Sequence, residues 1–199
     1  MTTTSLAIDQ KDLIPFSTYK KSRDEYIRKM IAYKNARRVR LDSSISLLFE
    51  NHQTVFFQIQ ELVYSEDLTD SEEIKEYIDI YSTMIPDANE FSATLFIEID
   101  DQLLLEKFLA KMKGIEHTLF MKVGDETLQA VFEEVHDDRE FTTSVHYVKI
   151  PLTENAKSYL KVTAPENAKV SILLDHESLH SEVRLSVDTV SSLLSDLTE

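Results

Sequence analysis

A pair of histidines one helical turn apart, His176 and His180, is the first arrangement in the sequence that could do chemistry. With Glu177 between them they match the H-E-x-x-H pattern of zinc proteases, in which two histidines bind the metal and the glutamate activates water. That chemistry requires a long helix here, whereas the motif directly follows the predicted strand AKVSILLD. The extended pattern also fails, because Val183 and Ser186 occupy the places of its glycine and last histidine. We therefore interpret HESLH as a solvated loop after a strand.

Carboxylates and imidazoles on separate segments could instead form a site for a divalent metal. Such a mixed set of ligands suits iron, manganese or zinc. The candidate ligands are Glu50, Glu61, Glu98, His146, Asp175 and His176. His146 lies in TTSVHYVKI, a predicted strand, where a lone histidine is more often an ordinary hydrogen-bonded residue than a ligand. Whether these side chains converge depends on the fold.

The run LLFENHQTVFFQIQELVYSE places glutamine and glutamate among the best core-forming residues. In a helix, Gln58 and Glu61 share one face, while Val55 and Ile59 belong to another. An unpaired buried polar group costs about 1 to 3 kcal/mol, so these groups should have partners. We predict one polar cluster between the central helix and the sheet, formed by Arg37, Arg38, Glu50, Gln58, Glu61 and Glu98.

The predicted polar cluster has two interpretations. In the first it is a structural network, in which Arg37 and Arg38 pair with Glu50 or Glu61 and fix the helix against the sheet. In the second it is a polar pocket for an anion or a divalent metal. The two differ in what a Glu61→Gln variant would lose, which is stability in the first case and binding in the second.

Several kinds of active site are excluded by composition. The chain has no cysteine, which rules out disulfides, thiolate metal sites and a cysteine nucleophile. Its two glycines, Gly114 and Gly124, cannot build a nucleophile elbow, a phosphate-binding loop or a dinucleotide fingerprint.

Chain length, composition and net charge limit the class of protein further. With 199 residues, 42% hydrophobic and 29% charged, the chain is typical of a globular protein with one core. No apolar run is long enough for a membrane span and the start lacks signal-peptide features, so we expect a cytoplasmic location and no membrane association. The net charge of -15 argues against nucleic-acid binding.

The basic residues are concentrated in one segment. Residues 20–40 contain nine Lys and Arg but just two acidic residues, and the rest of the chain is strongly acidic. A basic segment and an acidic one, such as SEDLTDSEEIKEYID, suggest either packing within the chain or a charged protein partner, and the first is the simpler.

Hydrophobic periodicity predicts the elements that must position these residues. Helices are expected over about 18–34 and 54–65, and a third from a Thr69–Glu72 capping box towards Pro86. After Pro86 the pattern favours strands, with a hairpin turning near Gly124, helices at about 101–114 and 154–160, and a closing helix at about 189–197. VRLSV is expected to be a loop or a short strand.

This order of elements predicts an α+β fold with a mainly antiparallel sheet covered by the N-terminal and central helices. We expect a single domain over residues 1–199, with a helical part at about 12–86 and a sheet-rich part at about 91–199.

Eight sequence blocks, taken in order, resemble one bacterial family. They are RRVRL, LLFEN, TVFFQIQEL, MIP, SATLFIE, KGIE, TSVHYV and LDH. Together they are similar to the domain-of-unknown-function family three-five-zero-one, from about Asp12 to the closing helix. Family members usually have His-Pro where this chain has His176-Glu177, so most of them lack the glutamate that would activate water. This further weakens the protease interpretation.

The resemblance implies a setting rather than an activity. Genes of this family commonly lie beside those for a rubrerythrin-like di-iron protein and an iron-sulfur oxidoreductase, which implies an accessory role near peroxide or redox chemistry. Our leading hypothesis is therefore a non-catalytic binding or accessory protein with a redox protein partner. A metal-dependent enzyme using the carboxylate and histidine set is the second hypothesis, and a structural homo-oligomer such as a homodimer is the third.

Overall fold

The computed structural model describes residues 7–135 and 138–197. Within these ranges the chain forms six α-helices, two short 3₁₀ helices and nine strands. The strand pairs are antiparallel. The predicted α+β class with antiparallel strands is therefore confirmed. No helix in the described ranges combines the length and the apolar character needed to cross a membrane.

The described residues group into two compact units. The first, the helical unit, combines the residues up to Asn35 with Glu50–Pro86, and the second, the sheet unit, combines Ala36–Phe49 with the residues from Asp87 onward. The boundary at Pro86 coincides with the change of hydrophobic period. The prediction of one domain over the whole chain stays a prediction.

The helical unit is built from a 3₁₀ helix, Gln10–Asp12, and the helices α1 (Phe16–Arg37), α2 (His52–Ser65) and α3 (Ser71–Ser82). A reciprocal capping box fixes the start of α2. The Asn51 side chain accepts a hydrogen bond from the Thr54 amide at 3.2 Å, and the Thr54 hydroxyl accepts one from the Asn51 amide at 2.9 Å. The helix predicted over 54–65 is thus confirmed and begins two residues earlier.

The start of α3 differs from the prediction by one residue. The N-cap is Asp70 rather than Thr69, and its carboxylate accepts hydrogen bonds of 2.9 Å from the amides of Glu72 and Glu73. Aspartate caps a helix at least as well as threonine, and its negative charge interacts favourably with the positive end of the helix dipole. The predicted capping box is therefore wrong, although the helix itself is present.

The sheet unit contains two sheets rather than the single sheet predicted. The first has the strand order β1-β2-β3-β7-β6 and the second the order β5-β4-β8-β9. The strands are β1 (Arg38–Arg40), β2 (Ile45–Glu50), β3 (Glu90–Ile97), β4 (Leu119–Val123), β5 (Glu126–Gln129), β6 (Val131–Phe132), β7 (Val145–Pro151), β8 (Val170–His176) and β9 (Leu179–Arg184).

The two sheets are connected at Ala130. The predicted hairpin turns at Gly124, as expected, and β5 then pairs with β4 as far as Gln129. After the buried Ala130 the chain leaves the second sheet, and β6 pairs with β7 of the first sheet. The segment LQAVFEE, the second arm of the predicted hairpin, therefore serves both sheets.

One apolar cluster lies between the sheets. Side chains alternate along β4, so Leu119, Met121 and Val123 point inward while Phe120 and Lys122 point outward. The helices α4 (Gln102–Lys111), α5 (Glu154–Val162) and α6 (Val187–Asp196) add further apolar side chains at its margins. A fully buried aliphatic side chain contributes about 1.5 to 3 kcal/mol, so this cluster is the main source of the unit's stability.

The HESLH motif lies on a β-hairpin. His176 ends β8, Glu177 and Ser178 form the turn, and β9 begins at Leu179. The prediction of a solvated loop for HESLH is therefore mostly wrong, because the turn is only two residues long, the other three residues belong to strands, and His176 is buried. Because the motif is not helical, it does not present the two histidines as a zinc protease requires.

Candidate functional site

Glu61 of α2 binds a residue that the sequence did not indicate. Its carboxylate accepts two hydrogen bonds from Arg23, from Nε to Oε1 at 2.9 Å and from Nη2 to Oε2 at 2.6 Å. The buried Tyr19 hydroxyl donates a third, to Oε1, at 2.7 Å. The Arg23 guanidinium also lies 5.0 Å from the centroid of the Tyr64 ring. The arginine that pairs with Glu61 is therefore Arg23 of α1, not Arg37 or Arg38.

These contacts shift the pKa values of the Glu61 carboxyl and the Tyr19 hydroxyl. Partial burial by itself raises the pKa of the Glu61 carboxyl, but the hydrogen bonds from Arg23 and Tyr19 outweigh it and hold that pKa below its ordinary value. Burial, and then the hydrogen bond to the Glu61 carboxylate, raise the pKa of the Tyr19 hydroxyl far above its usual range. Glu61 is thus a permanent anion near neutral pH, and Tyr19 is a permanent donor.

Arg37 is fully buried and has several partners in the sheet unit. Its Nε donates to the Phe49 carbonyl at 2.9 Å, and Nη1 donates to the Ser192 hydroxyl at 2.8 Å. Its guanidinium also meets Asp196 of α6 in a two-point contact, with Nη2 2.6 Å from Oδ2 and Nη1 3.3 Å from Oδ1. Arg37 therefore ties the closing helix to the strand β2.

The structure brings together Arg38 and Glu98, two members of the predicted cluster. The Arg38 guanidinium lies 3.6 Å from Glu98, and both side chains bind the Ser46 hydroxyl, Arg38 as donor at 2.8 Å and Glu98 as acceptor at 2.9 Å. About half of the Glu98 side chain is exposed. Their contact is a partly solvated pair that passes over β2, with Ser46 between β1 and the end of β3.

The other two members of the predicted cluster differ from each other. Glu50 is buried at the end of β2, whereas Gln58 is half-buried and makes no side-chain hydrogen bond in the part of the chain that the structure describes. The deeply buried glutamine of α2 is Gln60, whose amide accepts from the Ile14 N–H at 2.7 Å and donates to the Ile14 carbonyl at 3.2 Å. That all six predicted residues meet at one site stays a prediction.

The candidate metal ligands each have other bonds. His176 binds the Lys113 carbonyl at 2.8 Å, and Asp175 lies 2.9 Å from His180. Across residues 7–135 and 138–197, no group of three or more histidine, aspartate or glutamate side chains is placed to hold a metal ion. Of the candidate ligands, His146 is buried beside another buried polar side chain, Thr142.

His146 belongs to a buried polar group that sequence reasoning missed. The Thr142 hydroxyl donates to Glu116 at 2.7 Å and lies 3.1 Å from Nε2 of His146. All three side chains are almost fully buried, and the Phe132 ring packs edge-on against the imidazole. Since the Thr142 proton points to the carboxylate, the hydroxyl oxygen is available to accept a hydrogen bond from the imidazole.

Helix α4 and the loop after β6 expose large apolar side chains. Leu103 is 68% exposed and Leu104 57% exposed, and the described part of α4 contains no buried residue. Phe141 is 53% exposed, and the neighbouring Thr142 amide bonds the Leu109 carbonyl in the last turn of α4 at 3.2 Å. We call Leu103, Leu104 and Phe141 the α4 apolar surface.

The loop beside this surface is acidic. Its described residues between β6 and Phe141 include four carboxylates and one arginine, namely Glu133, Glu134, Asp138, Glu140 and Arg139. The loop that carries Phe141 is therefore acidic, and it is bonded to the last turn of α4 through Thr142 and Leu109.

The sequence matches one protein family along nearly its whole length. The model of the family described as "Protein of unknown function (DUF3501)" covers residues 7–197. The chain belongs to this family. The resemblance seen in its sequence blocks is thereby confirmed.

A solved structure supports the fold of this DUF3501 member. The chain is similar to a novel protein of unknown function from Burkholderia pseudomallei K96243, whose crystal structure was determined at 1.90 Å resolution. The two are 31% identical, with a TM-score of 0.87, and the match covers 96% of this chain and 99% of that one. No curated protein matches the chain.

The basic segment of this DUF3501 member is partly neutralised within the chain, because Arg23 pairs with Glu61, Arg37 with Asp196 and Arg38 with Glu98. Lys20, Lys21 and Arg28 are exposed on α1 and form no ion pair in the described part of the chain. The structure thus gives no support for packing of these residues against the acidic α3 segment. A charged protein partner remains as their other interpretation.

Proposed function

We propose that this chain is a cytoplasmic, non-catalytic binding protein that docks a partner protein on the α4 apolar surface. The observation that carries the proposal is the exposure of Leu103, Leu104 and Phe141, each more than half accessible. Large apolar side chains exposed on a helix and on the loop bonded to it are candidates for a binding surface.

The free-energy gain from covering this surface is substantial. Complete burial of a leucine or phenylalanine contributes about 1.5 to 3 kcal/mol, so the three side chains could supply several kcal/mol of binding energy. Leu103 lies on the face of α4 opposite to Leu105 and Met112, which pack inward, so it adds nothing to the core. The Leu103 side chain is therefore available to contact a partner protein.

The charge of the adjoining loop indicates the chemistry of the partner. The loop that carries Phe141 also carries Glu133, Glu134, Asp138 and Glu140, so the surface suits a partner that has basic residues beside an apolar centre. Opposite charges would also accelerate the encounter, and this acceleration would decrease with salt.

For the identity of the partner we propose a redox protein. The family resemblance implies a rubrerythrin-like di-iron protein or an iron-sulfur oxidoreductase encoded nearby, and an accessory protein needs a docking surface rather than an active site. A second copy of this chain would be the alternative occupant.

The test uses the purified chain and the two candidate partners from the same organism. A Leu103→Gln/Leu104→Gln variant keeps good helix formers at both positions but removes the apolar contact. We expect it to weaken binding to one of the two proteins by at least about tenfold, measured by titration calorimetry. The matched control is Val162→Gln, at an apolar position 84% exposed on α5.

Three results would contradict the proposal. One is a monomeric chain that binds neither protein, and another is binding that the double variant and the control weaken equally. The third is a dimer, seen by light scattering, that the double variant dissociates, because the surface would then belong to a second copy.

A further inference from the structure

A cationic depression lies on the outer face of the second sheet, on residues that the α4 apolar surface does not involve. Its volume is about 410 Å³, and its polar lining consists of Lys122, Lys169, Ser171, Glu182 and Arg184. Since the chain as a whole carries a net charge of -15, a group of three cations on one surface needs an explanation.

The strand register places these cations side by side. Lys122 of β4 lies opposite Ser171 of β8, which lies opposite Arg184 of β9. Lys169 precedes Ser171 by two residues and so points to the same face. Its backbone is held from two sides, because its carbonyl accepts from the Gly124 amide at 2.8 Å and its own amide donates to the Tyr159 hydroxyl at 2.9 Å.

One carboxylate balances one of the three positive charges. Glu182 lies 2.7 Å from Lys122 Nζ and accepts from the Ser171 hydroxyl at 2.8 Å. Arg184 donates to a neutral group, the Ala168 carbonyl, at 3.3 Å. The Lys169 ammonium has no side-chain partner in the described part of the chain. Two positive charges therefore lack an anionic counterpart.

We infer that this depression binds a small phosphate-type dianion between Lys169 and Arg184. The charge of such an anion equals the positive charge left over. The planar guanidinium of Arg184 can offer two parallel N–H donors to phosphate oxygens, and Lys169 supplies a mobile point charge.

The size and charge of the surroundings favour a small molecule over a polymer. A depression of about 410 Å³ lies within the range of small-ligand sites. A nucleic acid or an anionic membrane would extend beyond it and meet the acidic remainder of the chain, which repels a polyanion. The ligand class is therefore free phosphate or a phosphorylated metabolite.

The experiment titrates the full-length chain with inorganic phosphate, with glycerol 3-phosphate and with sodium chloride at equal ionic strength. Binding is followed by calorimetry and by the NMR shifts of the Gly124, Lys169 and Ser171 amides. We expect saturable binding of the phosphates, and the tighter of the two ligands distinguishes free phosphate from its esters.

Three variants test the assignment of residues. Lys169→Gln and Arg184→Gln should each weaken phosphate binding by about tenfold or more, because each removes a charged donor. Glu182→Gln should have the opposite effect and tighten it, because the depression then carries one more net positive charge. The matched control is Lys107→Gln, an equal charge loss at an exposed position of α4.

The site is exposed, so these variants should leave the amide spectrum outside the depression unchanged, which verifies that they fold. The inference is overturned if neither phosphate binds, or if chloride reproduces the shifts at equal ionic strength. It is also overturned if Lys169→Gln weakens binding no more than Lys107→Gln, or if Glu182→Gln weakens it.

Discussion

Glu61 and Arg23 form a two-point ion pair between α2 and α1, with N–O distances of 2.9 and 2.6 Å. Both side chains are about one-third exposed or less, so water screens the pair incompletely. The buried Tyr19 hydroxyl donates a third bond, so Glu61 is the centre of the polar part of the α1–α2 contact.

The Glu61→Gln variant should lower the free energy of unfolding by about 1 to 3 kcal/mol, because a neutral amide is a weaker acceptor and cannot bind both Arg23 and Tyr19 as the carboxylate does. Urea unfolding monitored by circular dichroism measures the effect. Glu76→Gln, at an exposed position of α3, is the control and should change stability by less than about 0.5 kcal/mol. An unchanged stability of Glu61→Gln would favour the binding interpretation of this residue.

The same carboxyl makes stability depend on pH in the acidic range. Its pKa in the folded chain lies below the ordinary value of 4.5, so the folded state holds the proton less readily than the unfolded state. The stabilisation from Glu61 is therefore present above pH 4.5 and is lost as the pH falls through the lower, folded-state pKa. Unfolding free energies of wild type and Glu61→Gln should differ most near neutral pH and converge on acidification. Parallel pH profiles would contradict this.

Replacement of Arg37 by lysine should be costly although the charge is kept. Lysine cannot reproduce the two-point contact with Asp196 while also donating to the Phe49 carbonyl, and these groups are buried. We expect a loss of about 2 to 4 kcal/mol in unfolding free energy, measured by thermal and urea denaturation.

The neighbouring Arg38→Lys variant is the control for Arg37→Lys. Arg38 pairs with a half-exposed Glu98, so its replacement should cost less than about 1 kcal/mol. Equal losses in the two variants would show that burial of the Arg37 contacts is not the deciding factor.

The hydroxyl between Glu116 and His146 should matter for stability. Thr142→Val keeps the shape of the side chain but leaves the carboxylate without its donor, which should cost about 1 to 3 kcal/mol. Thr83→Val is the control, because its hydroxyl bonds the Ile80 carbonyl at the exposed end of α3. Chemical denaturation of both variants decides the question, and a smaller loss for Thr142→Val than for Thr83→Val would refute a structural role for the bridge.

The sequence predicted the elements better than their partners. The helical period of α2 and the alternation along β4 depend on local order, so both could be read directly. The division into two sheets could not, because LQAVFEE has the pattern of one continuous strand and the change of partner at Ala130 depends on β7, which follows later. Long-range pairing leaves no local signal.

The candidate site residues show the same contrast between local pattern, which the sequence reveals, and long-range pairing, which it does not. That Glu61 would have a charged partner followed from its apolar neighbours, but the choice of Arg23 over Arg37 depends on how α1 lies on α2. The half-burial of Gln58 agrees with its apolar neighbours, but the buried Gln60 was missed because its partner, Ile14, lies far away in sequence. The exposed Leu103 did leave a signal, since three consecutive leucines cannot all face one core.

The amide of Gln60 holds the backbone of Ile14 by the same pair of bonds that a neighbouring peptide group would offer. These bonds hold the segment before α1 together with the buried Ile8 and a bond from Gln10 to Ser71, and their loss would leave a buried glutamine unsatisfied. Limited proteolysis in this segment should therefore be slow in the wild type and much faster in a Gln60→Leu variant. Cleavage there would show that the segment before α1 has detached from Gln60 while the helices are still folded.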